Sequence, residues 1–142
     1  MRRVAVTGIG VLSPLGNDCD EIFNTARNGR SAVQRLTGEV AKRLKAPLAA
    51  VVQFDAADHF DPAKTRMLDR VSQLAIVAAR CATADAGLDL GAVDRDRAGV
   101  FSGTGMGGST SMDDGYQTLY GEGSDRIKPL LILMGMHNAL AA

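Results

Sequence analysis

Two cysteines, two histidines and a cluster of glycines carry most of the chemistry available in this sequence. A cysteine nucleophile needs a stabilised thiolate, supplied by a neighbouring cation or a helix N-terminus. Cys19 is flanked by Asp18 and Asp20, whose charge opposes a thiolate, and Cys81 falls on the apolar stripe of a helical segment. Both read as structural thiols. They form no C-x-x-C pair, and neither His59 nor His137 has metal-ligand spacing, so no zinc site or redox motif is indicated. Gly103, Gly105 and Gly108 match G-x-G-x-x-G, the spacing that lets a dinucleotide pyrophosphate approach a helix N-terminus. That motif also requires a following helix, a second strand and an acidic residue for the ribose. Here the acidic candidates, Glu122 and Asp125, stand in a Gly/Ser loop. The glycines themselves imply a backbone that turns tightly or admits a close approach. No Walker lysine and no G-x-S-x-G occur, so phosphoryl transfer and serine hydrolysis lack support. Lys64, Arg66 and Arg70 form a local basic group.

The elements that must position these residues alternate in type. Val4–Thr7 is a β-branched run ending in Gly8-Ile9-Gly10, which predicts a buried strand and a turn. Asn17 or Asp18 can cap a helix reaching Arg27, stopped by Asn28-Gly29. Leu48–Val52 is a possible strand. Asp61-Pro62 supplies a cap and first helical position, and His59 just before it reads as a loop residue. Met67, Val71, Leu74, Ala75, Ala78, Cys81 and Ala82 recur at helical spacing, and Gly87 supplies the stop. The small residues of that stripe predict a helix able to approach its neighbours closely. Residues 98–102 predict a second buried strand opening into the glycines, 109–120 a polar helix, and Pro129 starts a final apolar helical stretch. Strand, helix, strand, helix is an α/β pattern with a partly parallel sheet. The last stretch reaches Ala142 with no cap, glycine stop or charged tail, so that end reads as cut.

Composition sets outer limits. Of 142 residues 46% are hydrophobic, and 16 Lys+Arg balance 16 Asp+Glu. A chain this apolar is not intrinsically disordered, and its zero net charge gives no global field for nucleic acid or anionic lipid. No apolar run approaches the roughly 20 residues that span a bilayer, and the N-terminus reads better as a strand than as a signal peptide. These features predict a cytoplasmic protein with no membrane partner, no internal domain boundary and no bound metal.

Four collinear blocks then carry a resemblance. VAVTGIGVLSPLG (4–16), DRVSQLAIVAARCATADAGL (69–88), VFSGTGMGG (100–108) and PLLILMGMHNALAA (129–142) are together similar to the opening of β-ketoacyl-[acyl-carrier-protein] synthases. The elongating condensing enzymes of fatty acid synthesis and their polyketide relatives are the nearest in kind. The resemblance covers essentially the whole chain but only the first third of the family's domain. It implies an α/β, thiolase-like layered fold of two duplicated halves, of which these residues form the N-terminal part of the first, and a homodimer, or a heterodimer with a ketosynthase-like subunit. It further implies decarboxylative condensation of an acyl thioester with a malonyl group. Both substrates would arrive on the phosphopantetheine arm of acyl carrier protein, with no other cofactor.

The same resemblance assigns positions. Met106 matches the side chain that borders the acyl pocket and influences chain length. Leu131 matches a segment that crosses the dimer interface to line the partner's acyl pocket; its alternative is ordinary helix core. Arg66, with Lys64 and Arg70, lies where the family presents a basic surface to the acidic carrier protein. The family's catalytic cysteine and two histidines match nothing here: not Cys19 or Cys81, and not His59 or His137. This chain alone is therefore predicted to be inactive. Two other readings stay open: a non-catalytic partner subunit of the chain-length factor type, told apart by the residue at the cysteine elbow, and a nucleotide-binding α/β domain, removed if equilibrium dialysis shows no dinucleotide retention.

Overall fold

Local capping chemistry accounts for most of the helices. The computed structural model describes residues 3–141. Helix α1 (Cys19–Arg27) begins where the Asp18 carboxylate accepts from the Glu21 amide at 2.7 Å, and Glu21 reaches back to accept from Asn17 N at 2.8 Å. This reciprocal pattern satisfies donors that a helix N-terminus leaves unpaired. A two-stranded antiparallel ribbon follows, β1 (Val33–Arg35) paired with β2 (Leu48–Ala50), with Val33 opposite Ala50. The short helix α2 (Glu39–Arg43) joins them and buries Ala41.

The stretch read as one long helix is two. Helix α3 (Pro62–Met67) is capped by Asp61, whose Oδ1 accepts from Ala63 N and Lys64 N, both at 2.9 Å. Helix α4 (Arg70–Asp85) follows after Leu68, which adopts extended backbone with φ −112° and ψ 131°. The break is held by side chains from α4 itself. Asp69 caps α4 by accepting from Val71 N at 2.9 Å. Gln73 Nε2 donates to the Thr65 and Leu68 carbonyls at 3.3 and 3.0 Å, satisfying acceptors stranded at the end of α3. At the other end Gly87 takes φ +60°, a conformation glycine adopts without steric cost. Its amide donates to Ala84 O while Leu88 N donates to Thr83 O, closing α4 by a Schellman motif.

Two predicted strands do not form. Residues 4–7 and 98–102 belong to no ladder among the described residues, and Val4 and Phe101 are 95% and 99% exposed. A strand is defined by its pairing, and the described residues offer these two segments no neighbour. The sheet among the described residues is therefore antiparallel, not partly parallel. Residues 8–10 instead lie on α4. A Cβ added to Gly8 would overlap the Ala82 carbonyl oxygen, and one on Gly10 the Ala78 carbonyl oxygen. Asp85 Oδ2 accepts from Ile9 N at 2.8 Å, fixing the same contact.

The polar helix is α5 (Ser109–Tyr116), which continues through a π turn at Gln117–Gly121. The final apolar stretch gives α6 (Leu131–Gly135), then extended Met136 and a 3₁₀ turn at His137–Ala141. Helices α5 and α6 pack through small residues. A Cβ on Gly115 would overlap Leu131 Cδ2, and one on Gly135 would lie 2.9 Å from Met112 Sδ. Phe60, Val77 and Met134 are buried, and so are the polar residues Asp69, Ser72, Gln73 and Ser111 at the start of α4 and α5. No helix among the described residues is long and apolar enough to cross a membrane.

Candidate functional site

The glycine loop is open at its start and fixed at its end. Added Cβ atoms on Gly103 and Gly105 meet nothing within 4 Å. Gly107 has φ +58° and donates to Thr104 Oγ1 at 3.1 Å. Gly108 is pressed against α6: an added Cβ would overlap the Met134 carbonyl oxygen, and its amide donates to Gly135 O at 3.4 Å. Between fixed and open halves stands Met106, 76% exposed. The loop thus presents an apolar side chain from a backbone whose exit is held rigidly.

The third glycine serves close packing with α6. Among the described residues no strand leads directly into Gly103 and none follows α5. The frame a dinucleotide site requires is absent there, which removes the support for a nucleotide reading of this loop.

Leu131 is half-buried against Gly115 within the chain's own helix pair, while the adjacent Ile132 and Leu133 are 76% and 58% exposed. A cavity of about 410 Å³ opens beside α6, lined by Met67, Leu68, Leu130, Leu133, Met134 and Met136. Its lining is almost wholly apolar, apart from Asp69, Ser72 and Asn138. Such a surface suits an alkyl chain or another apolar segment, not a charged metabolite.

The three basic residues separate into two kinds. Lys64 and Arg66 on α3 are exposed. Arg70 is half-buried; its Nη2 donates to Val52 O at 3.2 Å and its guanidinium lies 5.5 Å from the Phe54 ring centroid. Its charge is turned inward to hold the 52–54 segment. Arg80 of α4, though exposed, lies over the Phe60 ring at 5.1 Å and donates to His59 O at 3.3 Å. The His59 ring stacks on Phe54 with centroids 5.2 Å apart.

Sequence distance hid two proximities. Cys19 and Cys81 line one cleft with Asp18, Asp20 and Asp85. Cys81 and His59 line a second with Asp55 and Asp58. Both thiols are free and exposed, and no hydrogen bond joins Cys81 to His59 in the described residues, so neither pair is an assembled nucleophile and base. His137 Nδ1 lies 3.5 Å from where a Gly107 Cβ would stand, which places an imidazole beside the glycine loop. Only the break between α6 and its terminal turn brings it there, and no spacing rule reports that.

The family model for the beta-ketoacyl synthase N-terminal domain matches residues 1–142. The chain belongs to the β-ketoacyl synthase family. Among curated β-ketoacyl synthases, 3-oxoacyl-[acyl-carrier-protein] synthase 2 of Staphylococcus aureus (strain COL) is 36% identical over 134 residues, which is 94% of this chain and 32% of that protein. A granaticin polyketide putative beta-ketoacyl synthase 1 of Streptomyces violaceoruber is 35% identical over 125 residues, 87% of this chain and 30% of that protein. The crystal structure of a beta-ketoacyl synthase from Burkholderia phymatum STM815 superposes with TM-score 0.79 at 30% identity, covering 99% of this chain and 35% of that one. The chain therefore spans about a third of the length of the β-ketoacyl synthases it matches, and its fold is the thiolase-like α/β fold of that family. The expectation drawn from the four sequence blocks holds for family and fold.

Proposed function

We propose that the protein containing this chain carries out decarboxylative condensation of an acyl thioester with malonyl-acyl-carrier protein, in fatty acid or polyketide chain elongation. The observation that carries this reading is the family match across residues 1–142. In the reaction a cysteine thioester donates its acyl group. The malonyl carbon–carboxylate bond breaks to release carbon dioxide, and the electron pair left behind forms the new carbon–carbon bond as the thiolate departs. These residues supply surroundings for that chemistry. Met106 and Leu131 contribute to an acyl-chain wall, completed across a dimer of identical or related subunits. Lys64 and Arg66 offer an exposed basic surface to acyl carrier protein, with Arg70 bracing the 52–54 segment. In this reading none of Cys19, Cys81, His59 and His137 is the family's nucleophile or one of its histidines, and the substrates' phosphopantetheine arm is the only prosthetic group needed.

The test is a condensation assay on the full-length protein with acyl- and malonyl-carrier proteins, following carbon dioxide release and β-ketoacyl product. Turnover is expected from the full-length protein and none from residues 1–142. No condensation from the full-length protein, combined with altered product length when it is added to an active ketosynthase, would replace this reading with the partner-subunit one. Charge reversal at Lys64 and Arg66 together is expected to raise KM for the carrier-bound substrate roughly tenfold, as loss of two exposed steering charges would, with kcat nearly unchanged.

A further inference from the structure

Asp69 is 3% exposed and uses its two carboxylate oxygens on two different helices. Oδ1 accepts from Val71 N at 2.9 Å, capping its own helix α4. Oδ2 accepts from Ser111 N at 2.7 Å, 42 residues away in the first turn of α5. Helix α5 has no cap of its own, because its N-cap residue is Gly108 and offers no side chain. The buried Ser111 amide, like the other first-turn amides, has no acceptor inside its helix. A carboxylate at that place both accepts the hydrogen bond and matches the positive end of the helix. The residue before α5 closes the loop that carries Met106.

We propose that Asp69 is the positioning residue of the glycine loop, holding the exit of residues 103–108 so that Met106 stands at a fixed place on the acyl-chain wall. This rests on the reading of Met106 as bordering the acyl chain. The loop is otherwise held by Gly108 N to Gly135 O, a long 3.4 Å bond, and by Gly107 N to Thr104 Oγ1 within the loop itself. Neither ties it to α4. The Asp69 bridge ties the first turn of α5, which continues directly from Gly108, to the α3–α4 junction that lines the apolar cavity.

Asp69→Ser separates the two oxygens' tasks: serine still caps α4 but is too short to reach Ser111. In the full-length protein, D69S is expected to speed amide hydrogen exchange in residues 103–111 at least about tenfold, the effect of losing a hydrogen bond to a charged acceptor, while residues 72–82 keep their protection. The ratio of kcat/KM for a long against a short acyl substrate should move in the direction that Met106→Gly moves it. Exchange unchanged at 103–111, or faster equally in both segments, would overturn the proposal, as would an unshifted ratio in D69S when M106G shifts it. If M106G leaves the ratio unchanged while D69S frees the loop, Asp69 still positions the loop and the assignment of Met106 fails instead. Should D69S not fold, near-isosteric Asp69→Asn replaces one acceptor by a donor and gives the same readout. The wild-type protein offers a check without substitution: a Ser111 amide that exchanges as freely as solvent-exposed loop amides rules the bridge out.

Discussion

Asp61 shows how a single exposed side chain reaches the proposed carrier surface. Its carboxylate accepts from the Lys64 and Ala63 amides, and the bond from the Lys64 amide is the largest cause holding its pKa below the ordinary aspartate value. The capping stabilisation is therefore fully present above the pKa of an unfolded aspartate, about 3.9, and is lost as pH falls through the lower folded-state value. Helix α3 has only six residues, too few to persist without its cap, and it carries both Lys64 and Arg66. Asp61→Ala is expected to fray α3 and lower the denaturation midpoint of the full-length protein at neutral pH. The difference from wild type should shrink below the aspartate range. A difference of constant size from pH 7 to pH 3, measured by denaturant titration, would show that Asp61 acts through something other than its charge. The cap was legible because Asp-Pro at a helix start is a local signal. The division of labour among Lys64, Arg66 and Arg70 was not, since what turned Arg70 inward is Phe54, from another part of the chain.

Between elements, close approach decides the packing. Helix α4 turns Ala78 and Ala82 toward the residues 8–10 segment, and the two glycines of that segment lie directly on α4 backbone. Because the atoms met are a carbonyl oxygen and a backbone nitrogen, a methyl group on Gly10 cannot be accommodated by a rotamer change. Gly10→Ala should destabilise the full-length protein by about 1–3 kcal/mol, the usual cost of overpacking, while Gly29→Ala, with open space around its Cβ position but φ +66°, should cost about 1 kcal/mol through backbone strain alone. Equal midpoints for G10A and wild type in thermal melts would remove the close-packing account. The alanine stripe announced such an approach from sequence, and the α1 cap, the β2 strand and the Gly87 stop were equally readable, each being written within a few residues. The break at Leu68–Asp69 was not. Periodicity runs through it from Met67 to Ala82, and what ends α3 there is Gln73 bonding backward to Thr65 and Leu68. Asp69, an N-cap residue type inside that repeat, was the available signal. Residues 4–7 and 98–102 have strand composition and form no strand, because pairing is settled by neighbours far along the chain.

At the scale of the whole chain, surface area is the decisive quantity. A compact monomer of 14.9 kDa should expose roughly 7,000 Å²; these residues expose 11251 Å². Much of the excess is apolar, with Val4, Val6, Val100, Phe101, Met106 and Ile132 each more than 70% exposed, while the buried apolar side chains of the described residues are Ala41, Phe60, Val77 and Met134. Burial on that scale cannot offset the conformational entropy of ordering such a chain, which costs about 1–2 kcal/mol per residue for the backbone alone. The helices are capped locally, so secondary structure should survive where fixed side-chain packing does not. Residues 1–142 produced alone are accordingly expected to show helical far-ultraviolet dichroism, weak near-ultraviolet dichroism, strong binding of a hydrophobic dye and a broad unfolding transition. Low solubility should accompany these, because exposed apolar segments with unpaired backbone associate with one another. A sharp, cooperative transition with coincident near- and far-ultraviolet signals would mean that these residues bury far more apolar surface than the structure shows. The exposed strand-like segments would then have to pair with each other.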